Sequence, residues 1–332
     1  MNSSSTGWRV ANALASLKFT LVIIITLALG VVATYTSMVQ AVWGLVGPLF
    51  AFAMNLSAAV VTNPKFRRQT YLLVFHLALI AIVLLVAIGR LTYLKGQLEL
   101  AEGEVFSGQL TQVQSGPWHP IHLDALHFSN EGFTVDYAKG VRRGATHNQV
   151  AWTGSDGNTM RDIIGDQVPL DLLGYRFYTS HNKGFAPTFI WYPDAGAQAI
   201  MGTVHLPSYP IHEYKQALEW TPPGSAHALW VMLQFDEVLL DPEHPSEFHL
   251  PKKYQIVVRT GEERHELRAG DSLRLADGVL VFESLRSWMG YTVFYDFTLP
   301  WLLVSGLLAV ASLGMHFWKK FSSSPWNATN GE

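Results

Sequence analysis

The chain has 332 residues, of which 49% are hydrophobic and only 15% are charged. Soluble domains have about 25% charged residues, so the composition argues against a chain made only of soluble domains. The net charge of -3 is close to neutral, and the sequence has no run of basic residues that could bind along a phosphate backbone. Nucleic acid is therefore not a predicted partner. Cysteine is absent, which excludes disulfides, CxxC redox chemistry, thiolate metal sites and thiol-linked cofactors.

Apolar segments predict four transmembrane helices, three near the N-terminus and one near the C-terminus. A helix needs about 20 apolar residues to cross a bilayer core of about 30 Å. The first segment also has features of a signal peptide, because Arg9 and Lys18 precede an apolar run that ends near Ala33. A second apolar segment follows almost at once, which favours a retained helix. The predicted helices span residues 18–38, 41–62, 70–91 and 299–320.

Basic residues near the helix ends predict the orientation, because Lys and Arg are enriched on the cytoplasmic side of membrane proteins. If the four helices alternate, most of the basic residues near the membrane fall on one side. The chain is therefore predicted to lie in a bacterial inner membrane or its equivalent, with both termini on the cytoplasmic side. The residues on the predicted cytoplasmic side are Arg9, Lys18, Lys65, Arg67, Arg68, Lys319 and Lys320; those on the other side are Arg90, Lys95 and Arg286.

Residues 93–298 are predicted to form a β-rich extracytoplasmic (periplasmic) domain, between a membrane region at 1–92 and the fourth helix, with a cytoplasmic tail at 321–332. Short runs of β-branched and aromatic residues, separated by Gly- and Pro-containing turns, favour a β-sandwich or open barrel. One helical piece is expected at 212–218. The predicted fold class is an α+β membrane protein. Predicted strands lie at 133–137, 174–180, 188–192, 230–235, 254–258, 279–284 and 291–295.

The predicted domain carries little sequence evidence of catalysis. The Gly-x-Ser-x-Gly, P-loop, His-Glu-x-x-His and Gly-x-Gly-x-x-Gly motifs are missing, so no catalytic residue is predicted. His119 and His122 lie three residues apart, but Pro120 between them and the lack of a third ligand argue against a metal site. His244 and His249 lie in a polar loop, which predicts solvent exposure.

Several segments of the chain share the pattern of one known family. They read LASLKFTLV at 14–22, HLALIAIVLLVAIGRL at 76–91, GQLELAEGE at 96–104 and GDQVPLDLLGYRFYTS at 165–180. These segments resemble the ResB family, the CcsB-type subunits of System II cytochrome c maturation, and residues 291–307 resemble the family's return to its last helix. Three helices, an exported domain and a fourth helix are also this family's order, although the predicted domain here is compact compared with many members.

The resemblance implies that the chain helps to carry haem b outward and to present it to apocytochrome c. It implies a CcsA-type membrane partner that carries the tryptophan-rich haem-handling motif; the 11 tryptophans of this chain are scattered. The chain alone is then non-catalytic, a subunit of a haem lyase (cytochrome c synthase). The family's third-helix histidine is regarded as an axial haem ligand, and His76 occupies the matching position.

The position of His76 inside an apolar helix also indicates a functional role. An ionisable side chain inside an apolar helix costs free energy unless it has a partner, and neutral imidazole is a common ligand of haem iron. The alternative is a histidine that bonds a neighbouring helix. Asn55 in the second helix is expected to make such a helix–helix bond.

His316, three residues before Lys319, is a second candidate haem ligand. From the helical rise, it lies about 5 Å nearer the cytoplasm than His76, which is awkward for two axial ligands of one haem. The resemblance gives the second ligand to the partner instead. Two other functions stay open: a membrane-anchored b-type haem electron carrier in quinol oxidation, with both histidines as ligands, and an assembly scaffold without a cofactor.

Overall fold

The computed structural model describes residues 3–36, 40, 42–120, 123–154, 156–194, 196, 198–212 and 215–322. The chain divides into two compact units. The membrane unit comprises Met1–Leu94, Ser115–Pro120 and Tyr295–Glu332, and the β-rich unit comprises Lys95–Gln114 and Ile121–Phe294. The predicted fold class, four apolar helices with a β-rich domain, is confirmed.

Six α-helices form the described part of the membrane unit. Four helical segments are long and apolar enough to cross a membrane: α2, α3 with the π-helical turn Val42–Val46 before it, α5 and α6. The short helices α1 and α4 were not expected from the sequence. Residues 38 and 41, at predicted helix ends, lie outside the described residues. The helices are α1 Ser3–Leu14, α2 Leu17–Tyr35, α3 Gly47–Thr62, α4 Pro64–Arg68, α5 Thr70–Thr92 and α6 Leu299–Ser322.

Polar side chains begin these helices and join them. The Ser16 hydroxyl accepts a hydrogen bond from Phe19 N at the start of α2, at 3.2 Å. Asn55, buried in α3, accepts from the Thr20 hydroxyl at 2.9 Å and donates to the carbonyl of Leu14. The prediction that Asn55 bonds a neighbouring helix is confirmed.

The C-terminal end of α5 is capped by residues 115–120. The last carbonyl groups of a helix have no partner within it. Gly116 N donates to Tyr93 O at 2.9 Å, and Trp118 N donates to Leu91 O at 2.8 Å. A Cβ on Gly116 would overlap Leu91 O, so only glycine permits this close approach. The segment fixes the point at which α5 ends.

Among the described residues of the β-rich unit, fifteen strands form three sheets of seven, four and four strands. A simple β-sandwich has two sheets, so the three observed sheets are one more than a sandwich would have. The seven-stranded sheet has the order β2-β1-β15-β7-β6, with β14 paired to β15 and β8 to β7; the others are β13-β12-β10-β9 and β11-β3-β4-β5. The strands are β1 Leu94–Ala101, β2 Gln112–Ser115, β3 Phe128–Ala138, β4 Arg142–Thr153, β5 Thr159–Ile164, β6 Leu170–Leu172, β7 Tyr175–Pro193, β8 Ile200–Thr203, β9 Ala217–Trp220, β10 Leu229–Gln234, β11 Ser246–Glu247, β12 Gln255–Thr260, β13 Glu263–Leu267, β14 Ser272–Leu275 and β15 Gly278–Tyr295.

Two of these strands are much longer than predicted. The predicted strands 174–180 and 188–192 are both parts of β7, and 279–284 and 291–295 are both parts of β15. Glycines between them mark close approaches rather than strand ends. A Cβ on Gly184 would lie 2.7 Å from Trp288 Nε1, and one on Gly290 would lie 2.6 Å from Ser180 Oγ.

The predicted helical piece at 212–218 is wrong where it can be compared. Ala217 and Leu218 belong to strand β9, which pairs antiparallel with β10 through Leu218 and Val231. Residues 213 and 214 lie outside the described residues. Pairing with a neighbouring strand outweighs the local helical preference of a short segment.

The core of the β-rich unit combines aromatic packing with one buried polar network. Phe128 packs against Phe106, Phe177 and Tyr291, with ring centroids 4.9–5.7 Å apart. The Tyr291 hydroxyl donates to Asn148 Oδ1 at 2.8 Å, and Asn148 Nδ2 donates to Asn130 Oδ1 at 2.7 Å. Burial raises the pKa of the Tyr291 hydroxyl, so it acts as a neutral donor.

Candidate functional site

His76 lies in the second turn of α5, six residues after the helix begins at Thr70. Its ring nitrogen Nδ1 lies 2.8 Å from the carbonyl oxygen of Leu72, one turn earlier in the same helix. The ring contacts Phe66 of α4, with ring centroids 4.4 Å apart, and Phe75, with centroids 5.2 Å apart. The side chain is partly buried among apolar and aromatic groups.

The hydrogen bond to Leu72 determines which ring nitrogen of His76 can bind a ligand. A carbonyl oxygen only accepts, so Nδ1 carries the hydrogen and donates it. In the neutral ring Nε2 then keeps its lone pair, the form that binds a metal. Histidine ligands of metals usually donate their other N–H to a carbonyl or carboxylate in this way, which fixes the ring. The arrangement fits a haem iron. The hydrogen-bond partner of the ring, Leu72 O, lies in the same helix as His76 and not in a neighbouring helix.

His316 lies on α6, which packs against α5. It contacts Phe317, with ring centroids 5.4 Å apart, and lines an open cleft of about 650 Å³. The cleft brings His316 beside Thr70 and Tyr71, which lie six and five residues before His76 on α5. His76 is not among the described residues that line the cleft, so His316 lies nearer the start of α5 than His76 does.

The other histidines considered from the sequence have local partners. His119 is buried in the segment that caps α5, where its Nδ1 bonds Thr92 O at 2.7 Å and its ring meets Tyr295. His122 lies outside the described residues. His244 is exposed and pairs with Asp241, and His249 is exposed and pairs with Glu237. The predicted exposure of His244 and His249 is confirmed.

A charged cluster in the β-rich unit was missed by the sequence analysis. His205 Nδ1 lies 3.2 Å from Glu99 Oε2, and His205 Nε2 lies 3.7 Å from Glu104 Oε2. The imidazole stacks on Trp288 at an interplanar angle of 14°. Burial disfavours the imidazolium, but the bonds and charges of Glu104 and Glu99 outweigh it and raise the pKa of His205 to about 9.

The acidic side of this cluster belongs to the GQLELAEGE segment that the sequence analysis singled out. Glu99 lies in β1, and Glu104 follows the turn after it, where Glu104 Oε2 accepts from Ala101 N at 2.9 Å. Burial acts to raise the pKa of Glu104, and the nearby His205 ring together with the hydrogen bond from Ala101 N brings it below its ordinary value. The cluster joins two distant parts of the chain within one unit, which is a structural role.

Comparison with protein-family models places a ResB-like match at residues 65–187. The match confirms the resemblance over this part of the chain, which includes His76, β1 and the hairpin β6–β7. His205 and His316 lie outside it. The family is associated with cytochrome c biogenesis, and the four apolar helices fit a protein of the lipid bilayer. No curated protein matches the chain.

Proposed function

We propose that this chain is the ResB-like subunit of a System II cytochrome c synthase. It helps to carry haem b across the membrane and to present it to apocytochrome c, together with a CcsA-type partner. The observation that carries the proposal is His76: it lies inside the ResB-like region, and its bond to Leu72 leaves Nε2 as the ligand atom. The chain contributes binding and orientation rather than a catalytic residue of its own.

The proposed orientation places both termini in the cytoplasm and the β-rich unit on the outer side. Seven Lys and Arg residues fall on the proposed inner side, as the preference of basic residues for the cytoplasm requires. Reporter fusions test this directly. A fusion after Gln69 is expected to report cytoplasm and one near Asp156 the outer side; an exported signal at Gln69 would reverse the orientation.

Within this proposal His76 provides one axial ligand of a non-covalent haem. The neutral imidazole of His76, oriented by Leu72 O, would donate the lone pair of Nε2, and the haem iron would accept it. Phe66 and Phe75 flank the ring and limit access of water to it. The partner provides the second ligand, because His316 lies beside the first residues of α5 rather than beside His76.

A second candidate function is a b-type haem electron carrier in quinol oxidation. The packing of α5 against α6 favours it, because these helices carry His76 and His316. A carrier of this kind needs both ligands within one chain and keeps haem when purified without a partner. The synthase subunit shares its haem with the partner.

The deciding experiment measures haem b and this protein in a complex purified with a CcsA-type protein. The variant His76→Ala is expected to lose most of the haem and to lower maturation of c-type cytochromes, with the amount of this protein in the membrane unchanged. Added imidazole is expected to restore part of the haem by filling the vacant axial position. The apolar surroundings of His76 remain in this variant, so the fold is expected to survive and the loss of haem to be specific.

Two further variants complete this experiment. His316→Ala is expected to be mild if the partner supplies the second ligand and as severe as His76→Ala if this chain holds haem alone. His244→Ala, an exposed histidine in the β-rich unit, is the matched control and is expected to have no effect. Unchanged haem in His76→Ala would contradict the proposed ligand and leave a helix-packing histidine in a scaffold protein.

A further inference from the structure

One short segment of the membrane unit, Ser115–Pro120, lies in sequence between two parts of the β-rich unit. The backbone N–H groups of Gly116 and Trp118 donate to carbonyl groups at the C-terminal end of α5. The ring of His119 meets the ring of Tyr295, a few residues before α6 begins. The chain therefore returns to the membrane unit here and is bound close to the end of one apolar helix and the beginning of another.

Among the described contacts, the side chain of Trp118 takes no part in holding this segment. Its backbone N–H group makes the bond to α5, at 2.8 Å from Leu91 O, and any residue except proline offers that group. The indole itself is 65% exposed. The cap of α5 thus explains the backbone of Trp118 but not the choice of a large aromatic side chain at this position.

Trp118 is one of three exposed aromatic side chains at this end of the membrane unit. Phe297, just before α6, is 45% exposed, and Trp301, in the first turn of α6, is 59% exposed. A Cβ on Gly89 would lie 2.9 Å from Thr298 Oγ1, so the end of α5 and the start of α6 lie side by side. A single exposed aromatic residue is ordinary on a protein surface, whereas several at one level indicate an interaction surface.

The level of these side chains indicates lipid as the partner. α5 and α6 are long and apolar enough to cross a membrane, so their ends reach the headgroup layer. Exposed apolar side chains continue along α6 at Leu303 and Val304, so the aromatic side chains adjoin the surface that faces the acyl chains. Tryptophan is enriched at membrane–water interfaces because its ring has an apolar body and a polar N–H group.

We propose that Trp118 anchors the segment Ser115–Pro120 in the headgroup layer of the lipid bilayer. The indole ring packs against the first carbons of the acyl chains, and its N–H group donates to a headgroup oxygen or to water. The chain between two parts of the β-rich unit is thereby tied to the lipid surface. The proposal depends neither on the haem role of His76 nor on the orientation of the chain, because tryptophan is enriched at both faces of a membrane.

The test places one spin label on the full chain in nanodiscs of phosphatidylethanolamine and phosphatidylglycerol. The chain has no cysteine, so an introduced cysteine carries the only label. Pro117→Cys puts the label beside an intact Trp118. Val310→Cys, at a 73% exposed residue of α6, is the reference for the bilayer interior. Val238→Cys, at a 75% exposed apolar residue of the β-rich unit, is the matched control. Electron paramagnetic resonance compares the access of each label to molecular oxygen and to a water-soluble nickel complex.

The label at position 117 is expected within about 5–10 Å of the boundary between headgroups and acyl chains, at a depth between the two references. Hydrogen exchange of the backbone N–H groups of residues 116 and 118 then measures the anchoring. Trp118→Ser is expected to lower their protection by about 10-fold, because an apolar side chain loses its contact with lipid. Trp118→Tyr should keep most of the protection, since tyrosine is also enriched at membrane interfaces. Helical circular dichroism of all variants should agree.

Three results would overturn the proposal. A label at position 117 that the nickel complex reaches as readily as the label at position 238 would place the segment in water. Equal protection in Trp118→Ser and in the wild type would mean that the backbone bonds alone hold the segment. Access to the nickel complex that is lost only when a CcsA-type protein is added would assign Trp118 to a protein interface instead of lipid.

Discussion

In the β-rich unit, several buried polar side chains bond one another, whereas the membrane unit carries few charged side chains, most of them near helix ends. Asn148 bonds Asn130 and Tyr291, and the buried amine of Lys183 donates to the Tyr137 hydroxyl. The membrane unit instead exposes large apolar side chains along its helices, such as Val310 at 73% exposure. The β-rich unit holds polar contacts in its core, and the membrane unit presents an apolar surface that fits a lipid bilayer.

This difference predicts different costs for breaking a buried polar contact. In a core that unfolds into water, a polar group that loses its partner costs about 1–3 kcal/mol. In a membrane the unfolded helices also find polar partners, so a hydrogen bond between helices contributes about 0.6 kcal/mol on average. Equivalent substitutions in the two units should therefore differ in size.

The largest effect is expected for Asn148→Ala in the β-rich unit. This change leaves Tyr291 Oη, Asn130 Oδ1 and Gly132 O each without a bond that Asn148 makes to them. We expect a loss of about 3 kcal/mol in unfolding free energy. Denaturant unfolding of the full chain in detergent, followed by the β-sheet circular dichroism signal, measures it.

Two variants bracket this prediction. Tyr291→Phe removes only one donor and should cost about 1–2 kcal/mol. Gln149→Ala, at the exposed neighbour of Asn148 in β4, should change stability by less than about 0.5 kcal/mol. If Asn148→Ala costs no more than Gln149→Ala, the β-rich unit is not held by its internal polar network.

The next effect is a dependence of stability on pH that arises from His205. Its pKa is raised to about 9 from an ordinary value of 6.5, so the folded chain holds a proton that the unfolded chain releases. This contribution is fully present below pH 6.5 and is lost as the pH rises through 9. Allowing for partial solvent screening, it is worth about 2 kcal/mol.

The pH experiment should use His205→Gln, which is expected to flatten the fall in stability above pH 6.5. His244→Gln, at an exposed histidine paired with Asp241, is the control and should keep the wild-type slope. Burial lowers the pKa of Lys183 to about 8, and that group makes stability rise with pH above 8. The slope below pH 8 therefore tests His205 with the least interference. An equal slope in the wild type and in His205→Gln would show that the carboxylates do not hold this proton.

The sequence predicts the structure well where one local pattern determines it. Long apolar runs predicted the four helices, because crossing a bilayer requires a fixed length of apolar chain. Asn55 was predicted to bond another helix because lipid offers it no partner. His76 was selected by the same physical argument, and its role as a haem ligand stays a prediction.

Contacts between distant residues could not be predicted from the sequence. Glu99 and His205 are 106 residues apart, so no local pattern joins them. The segments on either side of Gly184, and those on either side of Gly290, were predicted as separate strands, but these glycines allow β7 and β15 to continue past bulky neighbours. The alternation of polar residues with leucine or glycine from Leu94 to Leu98 is a local sequence signal that indicates β1.

The smallest effect is expected for Asn55→Ala, which breaks a buried polar contact in the membrane unit as Asn148→Ala does in the β-rich unit. Asn55 accepts from Thr20 of α2 and donates to Leu14 O at the end of α1, one of the carbonyls that a helix leaves without a partner. Its loss should cost about 1 kcal/mol, several times less than Asn148→Ala, because polar groups of membrane helices find other partners after unfolding.

Reversible unfolding of the full chain in mixed micelles of mild detergent and dodecyl sulfate measures the cost of Asn55→Ala, and hydrogen exchange at Ser3–Leu14 reports whether α1 loosens. Ser57→Ala is the matched control, because Ser57 bonds only Ala53 O within its own helix among the described contacts. Thr20→Val with Asn55→Ala forms a double-mutant cycle, and the coupling between the two side chains should be about 0.6 kcal/mol. We expect faster hydrogen exchange in α1 and a small change in unfolding free energy. Asn55 bonds the last residue of α1, whereas the apolar helices are stabilised mainly by their contacts with lipid. A loss as large as that of Asn148→Ala would mean that the membrane unit, too, depends on its internal polar contacts.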